Sequence, residues 1–230
     1  MSLCIENLRA WYGAAQVLHG VNLVIGEGEA VALAGRNGSG RSTLAKAIMG
    51  LVRCEGDMRY RDVRLVGLRP YRIARLGIGY VPETRDVFPA LTVRENLLLG
   101  ERKGTRFTTH EAYRLFPALE ARAAVKAGLL SGGEQQMLAL ARTLAGDPSF
   151  VVIDEPGEGL APHVLAQVAA CLKTLRERGV AMLLIEERLT IARMLDARVA
   201  VMGHGAIRFD GPIEAFARDA QVMREWLFVG

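Results

Sequence analysis

Three short stretches of this 230-residue chain are apolar without interruption: Ala30 to Ala34, Phe150 to Ile153 and Ala181 to Ile185. A strand with one face in water alternates apolar and polar side chains. An unbroken run therefore belongs to a strand covered on both faces, as in a parallel sheet flanked by helices. Between the second and third runs lies a helical stretch, Pro162 to Arg178, closed by Gly179, which makes a strand–helix–strand crossover. The first run ends in a glycine loop and leads into a helix over Ser42 to Met49, with Gly50 beyond it as a stop. The expectation is an α/β core built on parallel strands.

Leu3 to Tyr12 and Val17 to Ile25 read as two further strands, and Gly26-Glu27-Gly28 turns the chain into the first core run. Phe88 to Ala145 is mostly helical in pattern and falls between core strands, so it is expected to form an inserted lobe, about 88–145. Arg198 to Met202 and Ala206 to Asp210 flank Gly203-His204-Gly205 as a hairpin. No internal repeat, low-complexity tract or linker interrupts the chain. At this length and half hydrophobic, it can bury one large core with a modest lobe, and a single domain over 1–230 is expected.

Composition excludes some functions. The net charge is only +4, basic and acidic residues are interleaved, and aromatics make up 6% of the chain, so a nucleic-acid partner is not expected. Cys4, Cys54 and Cys171 are odd in number and lack the paired spacing of thiolate metal sites, which fits a reducing cytosol. His19, His110, His163 and His204 show no metal-site spacing either. No apolar stretch approaches the roughly 20 residues that span a bilayer, so any service to a membrane is given from outside the lipid.

Gly35-Arg36-Asn37-Gly38-Ser39-Gly40-Arg41-Ser42-Thr43 joins a strand to a helix. Such a loop aims backbone N–H groups at one point, to which the helix N-terminus adds partial positive charge, and phosphate binds there. The alternative is an ordinary tight turn. The phosphate-loop pattern carries lysine after its last glycine, where this chain has Arg41, a planar fork in place of a compact ammonium. Ser42 supplies the hydroxyl expected on Mg2+. The run Phe150 to Ile153 then ends in Asp154 and Glu155, released at the same sheet edge. Asp154 is suited to hold magnesium through water and Glu155 to act as general base, the alternative being two solvated acids. A third segment, Leu130-Ser131-Gly132-Gly133-Glu134, reads as a helix start with no obvious use inside its own chain.

With Gln135-Gln136 following, that third segment resembles the signature motif of ATP-binding cassette (ABC) transporter ATPase subunits, and the resemblance covers roughly Leu3 to Gly211. It implies a P-loop NTPase (RecA-like) α/β core, an N-terminal antiparallel β subdomain and an inserted helical lobe. It further implies that Ser131, Gly132, Gly133 and Glu134 complete the ATP site of an opposite subunit, whose glycine loop holds the γ-phosphate. Tyr12 resembles the aromatic that stacks on adenine, with packing on the core as its alternative. Glu83, in Gly79-Tyr80-Val81-Pro82-Glu83, stands where most of the family has a glutamine near Mg2+, and a carboxylate can also ligate that ion. Gly157-Glu158-Gly159-Leu160-Ala161-Pro162 matches the family's loop across the dimer interface, with Glu158 unusual there.

Glu187 stands where the family usually has a histidine that donates to the γ-phosphate. An ionised carboxylate donates nothing. At about 4 Å and an effective dielectric of roughly 20, it would be repelled by about 4 kcal/mol unless it turns away or is protonated. Arg41 and Glu187 together imply a slow site in this chain. The segment Val87 to Asn96 falls where the family receives a helix of a membrane permease, a lobe core being the alternative. Its wording, with Val81-Pro82-Glu83 and Gly159-Leu160-Ala161-Pro162, most resembles the subgroup that takes up branched-chain amino acids and related amides. The resemblance thus implies a cytoplasmic ATPase bound peripherally to the inner face of the membrane. It would use ATP and Mg2+ and pair with a second cassette and with permease subunits served by a substrate-binding protein. A degenerate regulatory cassette is the competing reading. A soluble cassette acting on DNA or ribosomes is disfavoured, because neither a second cassette nor a long coiled-coil insertion is present.

Overall fold

The computed structural model describes residues 3–102 and 104–226, so the outermost residues of the expected 1–230 domain and one lobe position lie outside the described residues. The chain opens with β1 (Leu3–Tyr12) and β2 (Ala15–Ile25), then β3 (Ala30–Gly35) and helix α1 (Arg41–Ile48). A hairpin of β4 (Arg53–Tyr60) and β5 (Val63–Arg64) follows, then α2 (Pro70–Arg75) and β6 (Ile78–Val81). Helices α3 (Val93–Gly100), α4 (Thr109–Leu115), α5 (Pro117–Ala121) and α6 (Gly132–Leu144) fill most of the stretch expected to be helical. The remainder runs β7 (Phe150–Asp154), α7 (Pro162–Glu177), β8 (Ala181–Ile185) and α8 (Thr190–Met194). It closes with β9 (Arg198–Gly203), β10 (Ala206–Gly211), α9 (Ile213–Arg218) and α10 (Ala220–Trp226).

The strands form two sheets, one ordered β2-β1-β4-β5 and antiparallel, the other ordered β10-β9-β3-β8-β7-β6. In the second, β9, β3, β8, β7 and β6 are parallel neighbours, and only β10 runs back. The three continuous apolar runs are its central strands, and their side chains divide by parity. Val31, Leu33, Phe150, Val152, Leu183 and Ile185 pack on one face with α1 and the inner residues of β1 and β2. Ala32, Val151, Ile153, Met182 and Leu184 pack on the other with α6, α7 and apolar residues of α3, α4 and α5. Two-sided burial thus accounts for the missing alternation. The helices between β6 and β7 share this second core with the sheet.

Several boundaries differ from the sequence reading. β2 begins at Ala15, the first core helix starts at Arg41, and Arg178 caps α7. Gly50 and Gly179 stop their helices in the left-handed conformation, with Leu51 N–H bonded to Lys46 C=O and Val180 N–H to Leu175 C=O. The hairpin β4–β5 and strand β6 have no counterpart among the expected strands. β4 is exposed along much of its length and studded with charge, while β6 is four residues long and contains a glycine.

Leu33 lies at 0% exposure between the two core layers. Leu33→Ala is expected to cost about 3 kcal/mol, through lost burial and the residual cavity, whereas Leu33→Met should cost under about 1.5 kcal/mol. Urea unfolding of the two variants reads the difference.

Candidate functional site

β3, β8 and β7 end at one edge of the sheet, with β8 between the other two. The loop after β3 and the two acids after β7 are therefore separated by the end of β8, and the strand ends are laced together. Glu155 N–H donates to Ile185 C=O at 2.9 Å, and Glu186 N–H to Leu33 C=O at 3.2 Å. The loop wraps tightly over the end of β3. Gly35 has φ +151°, and a Cβ there would fall 2.4 Å from the Met202 carbonyl oxygen, so no other residue fits. Gly38 and Gly40 also have positive φ, and no side chain caps α1. Helix N–H groups without a side-chain cap favour an anion. Ser39 Oγ is buried in the loop and has no hydrogen-bond partner.

Arg41 and Glu155 are joined across the site. The guanidinium donates from Nη1 to Glu155 Oε1 at 3.1 Å and from Nη2 to Asn37 Oδ1 at 3.0 Å. Both side chains are largely buried, at 7% and 17% exposure. The other carboxylate oxygen, Glu155 Oε2, accepts Glu187 N–H at 3.3 Å. Glu155 itself sits at φ +48°, a conformation an L-residue holds only when its surroundings enforce it. Ser42 Oγ and Asp154 Oδ1 are 3.5 Å apart, long for a hydrogen bond between oxygens. Burial raises the pKa of Asp154, opposed by the Ser42 bond, with the charge of nearby Glu83 adding to the rise. Burial likewise raises Glu155, opposed chiefly by Arg41.

Thr43 is buried in the first turn of α1. Tyr12 ends β1 and is 46% exposed, with Lys46 Nζ 6.0 Å from its ring centroid. Core packing therefore does not claim its ring. Glu83 and Glu187 are both exposed, and Glu187 engages the site through its backbone N–H.

Ser131 is the N-cap of α6. Its hydroxyl accepts Glu134 N–H at 3.3 Å while the Glu134 carboxylate accepts Ser131 N–H at 2.8 Å, a complete capping box. Glu134 also pairs with Arg122 at 3.4 Å. Gln135 Nε2 donates to the Ala127 and Leu130 carbonyls, which fixes the approach to the helix. Ser131 and Gly132 are exposed, and among the described residues no hydrogen bond or ion pair joins residues 131–134 to the loop 35–43. The structure therefore brings together Arg41, Ser42, Asp154, Glu155 and Glu187, and leaves the α6 start facing outward.

Two residues near the sites were not anticipated. Arg85 places its guanidinium against Gly132, where an added Cβ would lie 2.7 Å from Nη1. Glu186 is 4% exposed, accepts Ile191 and Ala192 N–H through Oε2, and has no partner for Oε1. It borders a cavity of about 550 Å³ between Glu155, Gly157 to Leu160 and Ile191. The sequence carried a signal for Glu186: Ile185-Glu186-Glu187 repeats the pattern Ile153-Asp154-Glu155, an apolar strand ending in two acids.

The family model described as "ABC transporter" matches residues 18–158. The chain belongs to the ABC transporter family. The high-affinity branched-chain amino acid transport ATP-binding protein BraG of Pseudomonas aeruginosa is 39% identical, over 89% of this chain and 90% of the relative. The lipopolysaccharide export system ATP-binding protein LptB of Haemophilus influenzae is 32% identical, over 98% and 96%. Among solved structures, a nucleotide-free ATP-binding cassette from an ABC transporter superposes with TM-score 0.84 at 27% identity, covering 100% of this chain and 99% of that one. A dimeric cassette in a post-hydrolysis state, bound to ADP and Pi, superposes with TM-score 0.79 at 26% identity over 92% and 98%. The fold is the P-loop α/β core of ABC cassettes with its antiparallel sheet, and the chain is an ATP-binding subunit of a family of transport ATPases.

Burial pushes Glu186 up to about 7 from an ordinary 4.5, helped by the charge of Glu155 and opposed by the Ala192 and Ile191 N–H groups. The native state thus holds a proton between these pH values that the unfolded chain has released, so stability falls as pH rises from about 4.5 to about 7. At one pKa unit per 1.4 kcal/mol the contribution of this group is on the order of 3 kcal/mol. Glu186→Gln is expected to flatten the decline of Tm across this range and to raise Tm at pH 8, read by calorimetry. An unchanged pH profile would show that Glu186 titrates normally.

Proposed function

We propose that this ABC ATPase subunit clasps ATP between two molecules. Gly35 to Thr43 of one would hold the phosphates, Tyr12 would stack on the base, and Ser131, Gly132, Gly133 and Glu134 would arrive from the other. The observation that carries this reading is the outward-facing start of α6, a satisfied and exposed helix N-terminus unconnected to its own phosphate loop. Glycines at N1 and N2 permit close backbone approach, and the helix end favours an anion. Residues 1–230 would form one nucleotide-binding domain with its lobe at about 88–145.

Ser42 and Asp154 supply adjacent oxygen donors, the hard ligands that suit Mg2+, and Glu83 stands close enough to influence Asp154. Bound there, Mg2+ would neutralise charge on the transferred phosphoryl group. Glu155 would accept the proton of the attacking water as general base, its raised pKa favouring proton uptake. Glu187 would contribute its backbone N–H as a brace on Glu155, its carboxylate turned to solvent.

Uptake of branched-chain or related amino acids is the proposed service, supported by the similarity to BraG over nearly the whole chain. A groove of about 560 Å³ between Ala74, Tyr80, Phe88, Leu99 and Arg142 suits a permease segment. Phe88 and Leu99 stand 49% and 58% exposed at it, and the Arg142 guanidinium sits 4.9 Å over the Phe88 ring. Among the described residues no helix is long and apolar enough to cross a membrane. Attachment to the cytoplasmic face would therefore run through permease subunits, with a substrate-binding protein upstream. A second reading, a regulatory cassette that binds ATP but hydrolyses little, is favoured by Arg41 and Glu187. Single-turnover hydrolysis with the partner cassette absent and present separates the two.

If the partner is a related cassette with a faster site, Ser131→Arg is expected to reduce ATPase of the purified complex more than Glu155→Gln does. Equal losses would remove that asymmetry. Phe88→Ala combined with Leu99→Ser is expected to weaken co-purification with permease at least tenfold while leaving ATP affinity unchanged. Loss of both would place these side chains in the fold instead of the interface.

A further inference from the structure

The Arg41–Glu155 pair has no counterpart in the catalytic scheme just given. It links the phosphate loop directly to the general-base candidate, across 114 residues of sequence, through a guanidinium that is 7% exposed. A planar fork can serve two acceptors in fixed directions, and here it serves Glu155 and Asn37 at once. A lysine ammonium is a single point charge and would not hold both in this geometry. Glu155 is in turn held from its other oxygen by Glu187 N–H and by a left-handed backbone. Each element of the site is therefore fastened to the next.

We infer that Arg41 is a positioning residue that latches Glu155 in the nucleotide-free chain, and that an incoming γ-phosphate must compete with Glu155 for the same guanidinium. The inference rests on the proposal that residues 35–43 hold the phosphates. The buried fork carries one positive charge, and two anions now require it. Taking the carboxylate away before phosphate arrives leaves that charge buried and unpaired, so the exchange has to be concerted with nucleotide entry. ADP has no γ-phosphate and leaves the latch closed. ATP opens or shares it, and Glu155 is released toward the attacking water only when the right nucleotide is in place. Arginine at this position thus makes the availability of the base depend on the third phosphate.

Two readouts on the intact chain test this, both without Mg2+ so that hydrolysis does not intervene. The Arg41 side-chain NMR signal is assigned as the one lost in Arg41→Lys. It is expected to report a restrained guanidinium in the nucleotide-free and ADP-bound protein, to shift with ATP, and to loosen in nucleotide-free Glu155→Gln. Glu155→Gln is also expected to raise the preference for ATP over ADP about tenfold. Simple repulsion between carboxylate and phosphate could produce the affinity change, but it would leave the nucleotide-free Arg41 signal untouched. An Arg41 signal identical in the wild type and Glu155→Gln overturns the latch. Nucleotides that bind while ATP leaves Arg41 unmoved overturn the competition alone. If neither nucleotide binds, the proposed function fails and takes the competition with it.

Discussion

Everything at the candidate site depends on the burial of the central strands from both sides. β3, β7 and β8 carry apolar side chains on each face, so no polar group can leave the sheet until a strand ends. The polar chemistry is thereby concentrated at one edge, where three strand ends lie within backbone hydrogen-bonding reach of one another. The order β3-β8-β7 then decides which residues meet. β8 is the middle strand, so the residues after Ile185 stand between the glycine loop and Asp154-Glu155, although they follow both in sequence.

Within that edge, charge is distributed unevenly. Asp154, Glu155 and Glu186 are all largely shielded from water, and among the described residues Arg41 is the one basic side chain hydrogen-bonded into the group. Burial lifts the pKa of all three acids, while Arg41 opposes the rise at Asp154 and Glu155. Glu186 receives two backbone N–H groups on one oxygen and nothing on the other, and it shows the greatest displacement. The site is an acidic nest with a single cationic tie, a different electrostatic setting from one built around a compact ammonium.

The parallel core was legible because its signal is strong: an unbroken apolar run has few interpretations, and Ala181–Ile185 was bounded to the residue. β6 was not legible, because Ile78–Val81 is short and glycine-containing and becomes a strand only by pairing with β7. β4 was hidden for the opposite reason, since its alternate positions face solvent with charges and its register comes from β1. Arg41, Ser42, Asp154, Glu155 and Glu187 could be named as candidates from motif and resemblance, whereas Glu186 and the pairwise contacts could not. That Arg41 reaches Glu155, and that Glu187 offers its backbone while its side chain stands in solvent, depends on the direction of side chains across strand ends. Sequence separation carries no record of that.

The capping box at Ser131 has one more consequence. In this arrangement the serine oxygen spends a lone pair on the helix and keeps its hydrogen. The helix end is already stabilised through that lone pair, and the hydroxyl hydrogen, beside the Glu134 carboxylate, lies at an exposed tip. An acceptor brought by another molecule can take that hydrogen without unravelling a single turn. Threonine would preserve this dual service. Aspartate and asparagine, which cap helices as well, would meet the visitor differently: the first has no hydrogen to give, and the second must give it from a nitrogen set further out.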